Sequence, residues 1–106
     1  MKVSYPPFSQ QQLVERLREQ LPTLAARLPL VRAVLFGSWA KGRATAFSDI
    51  DVLIVYADPH RDDAYKIVRQ CFGLRGLEPH VYSESQAMGI SPTLDRMTRD
   101  GIDLGA

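Results

Sequence analysis

Two short apolar runs commit this chain to a buried sheet. Residues 31–36 read VRAVLF, closed by Gly37, and residues 50–56 read IDVLIVY. β-Branched side chains fit a pleated surface and lose freedom in a helix, so runs this short and this apolar predict strands covered by protein on both faces. A third run, LEPHVY at 77–82, predicts another strand. Its Pro79 has no ladder donor to offer, which implies an edge position or an irregular start.

The segments around these strands carry a helical period. Pro6-Pro7 ends a short leader, and Ser9 is placed to cap a helix. Leu13, Leu17, Leu21, Leu24 and Leu28 then recur every three or four residues, the stripe of an amphipathic helix. Pro22 interrupts the stripe, and its ring is expected to kink or split that helix. After the second strand, Asp58 is placed as an N-cap with Pro59 at the first helical position. Ala64, Ile67, Val68, Cys71 and Phe72 mark one face of a helix that stops at Gly73. Ser83 and Gln86 have the spacing of a capping box for a short helix ending near Gly89. Ser91-Pro92 opens a last helix, with Leu94 and Met97 inward, ending at Gly101. Helices alternating with strands in this way predict an α+β (mixed α/β) fold, a short mixed sheet packed with helices. At 106 residues the expectation is one domain, 1–106.

Composition narrows the function classes. The formal charge is +1, so no overall field draws the chain to nucleic acid or to an anionic membrane. Cys71 is the only cysteine, which excludes an internal disulfide and zinc sites built from paired cysteines; at helical spacing it is expected to be a core thiol. The opening MKVSYPPFSQ has no apolar h-region and no run approaches membrane-spanning length, so a cytoplasmic protein with no membrane contact is expected.

The informative stretch is LFGSWAKGRATAFSDIDVLIV, residues 35–55. Asp49 and Asp51 stand at the entrance to the second strand, where alternate residues point to one face, with α-carbons about 7 Å apart. Carboxylates that close repel unless a positive charge lies between them. Magnesium suits such a gap, because it takes one or two carboxylates plus substrate phosphates and keeps several waters. Gly37-Ser38 comes directly after the first strand and is expected to open a short helix or turn. Free backbone N–H groups there bind anions, and a glycine lets a phosphate approach the backbone. Ser38 adds a hydroxyl, and Lys41 and Arg43, either side of Gly42, add charged donors. A phosphate cradle beside a carboxylate pair is the equipment of metal-assisted phosphoryl or nucleotidyl transfer.

At these residues the chain resembles the minimal nucleotidyltransferases (MNT) of the DNA polymerase beta superfamily. Their pattern is a strand, Gly-Ser, a small-basic-Gly turn, an acidic pair and an apolar strand. Here it reads Gly37-Ser38-Trp39-Ala40-Lys41-Gly42, then Ser48-Asp49-Ile50-Asp51-Val52-Leu53. The order of elements and the Gly-Ile pair at 101–102 extend the likeness along most of the chain. The resemblance implies that Gly37 and Ser38 hold nucleotide phosphates and that Asp49 and Asp51 hold Mg2+. It implies transfer of a nucleoside monophosphate, AMP from ATP, to an acceptor hydroxyl with release of pyrophosphate. Many such proteins look like antitoxins paired with an all-helical HEPN-type toxin, which they cap or modify.

The family's third carboxylate is usually an Asp on a later strand, and LEPHVY has none. Glu78 and His80 share one face of that strand. Glu78 has the chemistry of a metal ligand or base, and His80 that of a base near neutral pH. His60, in a Pro-containing turn, is expected to be exposed, and Trp39 to pack under the phosphate turn, with a place at a partner surface as the alternative. The leading reading is therefore a Mg2+-dependent nucleotidyltransferase. Its rival is a catalytically degenerate binding module that neutralises a toxin by covering it. A polymerase-like role ranks last, since a near-neutral chain with no basic domain has little to grip a duplex. A domain this small favours a second chain, a copy or a different protein, supplying part of the site.

Overall fold

The computed structural model describes residues 8–105; the Pro6-Pro7 leader lies outside them. A four-stranded sheet runs in the order β3-β2-β1-β4. Strand β1 (Leu30–Phe36) pairs antiparallel with β2 (Ile50–Tyr56), and β2 pairs in parallel with β3 (Leu77–Ser83). Pro79 thus lies in an edge strand, where a missing donor is tolerated. The parallel step from β2 to β3 requires a crossover, supplied by α2 (Ala64–Phe72). The sequence reading missed β4 (Ile102–Asp103), a two-residue strand antiparallel to Val34 and Leu35 of β1.

Helix α1 (Gln10–Ala25) starts at Ser9 with a reciprocal capping box to Gln12. Leu13, Val14, Leu17, Leu21 and Leu24 are its buried stripe. Pro22 does not split it. The proline sits in the last turn, so it forfeits one N–H while its own carbonyl still accepts from Ala26 at 3.1 Å. Leu28 is buried as its spacing implies, but from the turn beyond the helix.

The expected start of the second helix is wrong. α2 begins at Ala64, and the Asp58 carboxylate instead accepts hydrogen bonds from the backbone N–H and hydroxyl of Ser85. Asp58 therefore caps the start of α3 (Glu84–Gly89) from a distance. Gly73 ends α2 in the left-handed conformation, as expected. Cys71 is half-buried against the main core, and Arg27 donates towards its Sγ at 3.7 Å. Ser83 and Gln86 form the anticipated capping box of α3. Helix α4 (Ser91–Met97) stops four residues short of Gly101, because the chain needs a turn before it can enter β4.

Strand alternation divides the interior in two. Ile50, Val52, Ile54 and Tyr56 face the large cluster under α1 and α2. Leu53 and Val55, with Val34 and Phe36 of β1, face a smaller cluster closed by Leu94 of α4. Asp51 has the parity of Leu53 and Val55, so it lies on this second face, at the end of the strands away from that closure. No helix among the described residues is long and apolar enough to cross a membrane.

Candidate functional site

The site is assembled where β1 ends and β2 begins. Phe36 and Asp51 are direct partners across β1 and β2, so the turn after β1 necessarily passes beside the Asp51 carboxylate. Gly37 sits there with φ +74°, and a Cβ on it would lie 2.5 Å from Asp51 Oδ2. Glycine is required twice over, for the backbone angle and for the space.

Residues 37–42 form a turn rather than a helix. Lys41 N–H donates to Gly37 O (3.2 Å), Gly42 N–H to Trp39 O (3.4 Å) and Arg43 N–H to Ser38 O (2.9 Å). Among the described residues, the N–H groups of Ser38, Trp39 and Ala40 donate to no acceptor. Unpaired consecutive N–H groups in such a turn concentrate positive potential and suit an anion. Lys41 and Arg43 are exposed on the same turn, and neither forms an ion pair among the described residues. Trp39 packs inward, as its apolar ring dictates, and stacks on Phe8 with ring centroids 5.4 Å apart.

The carboxylates converge from two strands. Asp51 and Glu78 are register partners in the parallel β2–β3 pair, about 4.8 Å apart across the sheet and on the same face. Asp49 is exposed just before β2. The loop preceding it is tied by Thr45 N–H donating to Ser48 Oγ at 2.8 Å, and β2 is anchored by Ile50 N–H donating to Gly76 O at 2.8 Å. Burial pushes the Asp51 carboxyl above its ordinary value. His80 opposes that shift, and the negative charges of Asp49 and Glu78 reinforce it.

His80 is one strand alternation beyond Glu78, half-buried, with its ring edge-on to Phe36 at 5.0 Å. Its Nε2 lies 3.5 Å from Asp51 Oδ1, close enough for attraction but not aligned as a hydrogen bond. Glu78 is exposed and has the freer carboxylate. Among the described residues no three His, Cys, Asp or Glu side chains are gathered at ligand spacing in this conformation. The donor chemistry nonetheless suits magnesium, which needs only one or two carboxylates once phosphates supply the rest. The orphaned His80 Nε2 behind Asp51 fits a pocket completed by a further polar group or cation.

Beside Asp49 opens a cavity of about 690 Å³, lined by Arg16, Trp39, Phe47, Ser48 and Arg75 among others. Phe47 stands 85 % exposed at its rim. The sequence reading missed it, because part of its wall comes from α1 and the 73–76 turn, far in sequence from the Trp39 and Ser48-Asp49 motif residues they meet. A smaller groove of about 380 Å³, between Val31, Val55 and Leu94, shares no residue with the carboxylate site. His60 is exposed as expected, and its Nδ1 also lies 3.2 Å from the buried Tyr56 hydroxyl.

Known proteins share this fold. A solved structure from Sulfolobus solfataricus, whose nucleotidyltransferase assignment is itself provisional, is 25 % identical over 89 % of this chain and 80 % of its own, with a TM-score of 0.60. A toxin–antitoxin complex with AMP-PNP shares the fold at 19 % identity over 84 % of this chain and 73 % of its own, TM-score 0.60. So does a mutant of the toxin–antitoxin pair MntA–HpeT, at 19 % identity over 93 % and 74 %, TM-score 0.56. No curated protein sequence matches the chain. The family model of the nucleotidyltransferase domain matches residues 12–94, from the buried stripe of α1 through both carboxylate strands to α4. The chain belongs to the nucleotidyltransferase domain family, as the resemblance read from residues 35–55 implies.

Proposed function

We propose that this chain is a Mg2+-dependent nucleotidyltransferase that moves AMP from ATP to an acceptor hydroxyl, as the antitoxin of a HEPN-type toxin. The observation that carries this reading is the contact between Gly37 and Asp51. It sets a turn whose Ser38, Trp39 and Ala40 N–H groups donate to no acceptor among the described residues beside the Asp51 carboxylate, the register partner of Glu78. The toxin–antitoxin setting is supported by the fold shared with the two complexes, one of them bound to AMP-PNP.

In this mechanism the N–H groups of Ser38, Trp39 and Ala40, with the Ser38 hydroxyl, bind the phosphate oxygens. Lys41 and Arg43 add charge at the exposed side of the turn. Asp49, Asp51 and Glu78 would hold Mg2+, which when bound supplies charge neutralisation to the phosphates. Glu78, exposed and level with Asp51, takes the proton of the acceptor hydroxyl. The acceptor oxygen bonds to the α-phosphorus, the bond from that phosphorus to the bridging oxygen breaks, and pyrophosphate leaves with its electron pair. His80 lies deeper, against Phe36, and backs Asp51 rather than meeting the acceptor.

The test supplies ATP labelled at the α-phosphate, with magnesium and a cell lysate, and reads which species becomes labelled. Transfer from α-labelled but not γ-labelled ATP is expected. Glu78→Gln is expected to keep ATP binding and lose transfer by about a hundred- to ten-thousand-fold. A fully active Glu78→Gln with an inactive His80→Gln would assign the base to His80. No labelling at all, with an intact complex between the chain and a toxin, would establish the binding-module alternative.

A further inference from the structure

The first residue of α1 reaches across the fold to the phosphate turn. Gln10 lies 29 and 30 positions from the residues it contacts, and its side-chain Nε2 donates to Trp39 O at 2.8 Å and to Ala40 O at 3.1 Å. A glutamine amide has two N–H donors, and here each has its own backbone carbonyl. The α1 cap does not need this side chain, because Ser9 and Gln12 already satisfy each other. Gln10 is half-buried, so water competes only partly for its two bonds.

Those carbonyls matter because of what is on the other side of their peptide planes. A trans peptide points its C=O and its N–H in opposite directions. Holding Trp39 O towards α1 therefore aims Ala40 N–H away from α1, and holding Ala40 O does the same for Lys41 N–H. Ala40 N–H is one of the three unpaired donors of the turn. Trp39 is locked into the core and stacked on Phe8, so the turn is held by its side chain from below and by its carbonyls from one flank.

We infer that Gln10 is a positioning residue, which sets the orientation of the phosphate-binding Ala40 N–H without touching the nucleotide. The inference rests on the phosphate-binding reading of the turn. It explains why a polar side chain at the start of α1 is directed to a distant loop rather than to its own helix.

The experiment compares the unmutated chain with Gln10→Met, which keeps the length of the side chain and removes both donors, and Gln10→Ala. ATP with magnesium, and tripolyphosphate alone, are titrated by calorimetry while the amide resonance of Ala40 is followed by NMR; melting is measured in parallel. Both variants are expected to lose about tenfold in affinity for each ligand, the equivalent of losing one to two ordinary hydrogen bonds. The melting temperature should fall by several degrees with the loss of two half-buried hydrogen bonds, so affinity is compared per folded molecule. The Ala40 amide should shift on adding tripolyphosphate in the unmutated chain and shift less in both variants. Gln10→Glu, which turns an acceptor towards two carbonyls, should lose more than either. Unchanged affinity and an unchanged Ala40 response in Gln10→Met would overturn the inference alone. So would a fall in melting temperature with affinity per folded molecule preserved, which is a purely structural role. An unmutated chain that binds neither ligand would overturn the phosphate-binding reading itself, and with it the role of Gln10.

Discussion

Gly37→Ala puts the proposed site under direct steric load. The added Cβ would stand 2.5 Å from Asp51 Oδ2 and 3.3 Å from Asp51 Cγ, so the carboxylate must rotate away. The backbone at φ +74° adds its own penalty. A left-handed conformation costs an L-residue about 1–2 kcal/mol, and pushing a side chain off its rotamer about 1 kcal/mol more. The sum, about 2–3 kcal/mol, should lower the melting temperature of a domain this size by roughly 10–20 °C. The two contributions separate in a double-mutant cycle. In an Asp51→Ala background the carboxylate is gone and Asp51 Cβ, at 3.4 Å, is an ordinary contact, so Gly37→Ala should then cost only the backbone part. Urea unfolding of the four proteins measures the coupling, expected at about 1 kcal/mol. ATP titration of Gly37→Ala should show weakened binding per folded molecule, because the displaced carboxylate is the one that faces the turn. Equal penalties in both backgrounds would refute the claimed contact.

Two further outcomes are expected. Asp51 has a folded-state value above its ordinary 3.8, so its contribution to stability is complete below 3.8 and is lost as pH rises through the raised value. Asp51→Asn should therefore raise the melting temperature of the metal-free chain at neutral pH and flatten its pH dependence across that interval, while removing the stabilisation expected from magnesium with ATP in the unmutated chain. Gly101→Ala places a Cβ 2.6 Å from Val34 Cγ1 and 3.0 Å from the carbonyls of Leu35 and Thr98; urea unfolding should show a loss of about 1–3 kcal/mol with ATP affinity per folded molecule unchanged.

The range of each interaction decides whether it can be read from sequence. β1 and β2 were legible because a run of Val, Ile and Leu has little choice of environment, and β3 because Leu77, Val81 and Tyr82 favour a strand despite Pro79. That Asp51 and Glu78 face the same side was legible because strand alternation is a local rule, whereas the parallel register that sets them level needed the fold. Asp58 was misread because its nearest donors in sequence lost to Ser85, 27 positions away. β4 was hidden because two residues carry no period; Ile102 and Asp103 pair with β1 only once Gly101 has let the chain pass close to Val34. Gln10 lay outside every motif, since nothing in a helix-opening Gln-Gln-Gln says which of the three will leave the helix for a distant carbonyl.

The unequal division of the interior sets how the molecule can open. Helix α3 has no buried residue and α4 has only Leu94, whereas α1 alone buries five side chains against the opposite face. Regions with few buried apolar contacts unfold locally at a small fraction of the global free energy. The α3–α4 flap can therefore breathe off the sheet while β1 and β2, sealed by the larger cluster, keep Phe36, Gly37 and Asp51 in register. The face that carries the carboxylates has a pliable margin and a rigid floor. A protein seated there could reshape the margin cheaply, and the spacing of the reactive groups would not change.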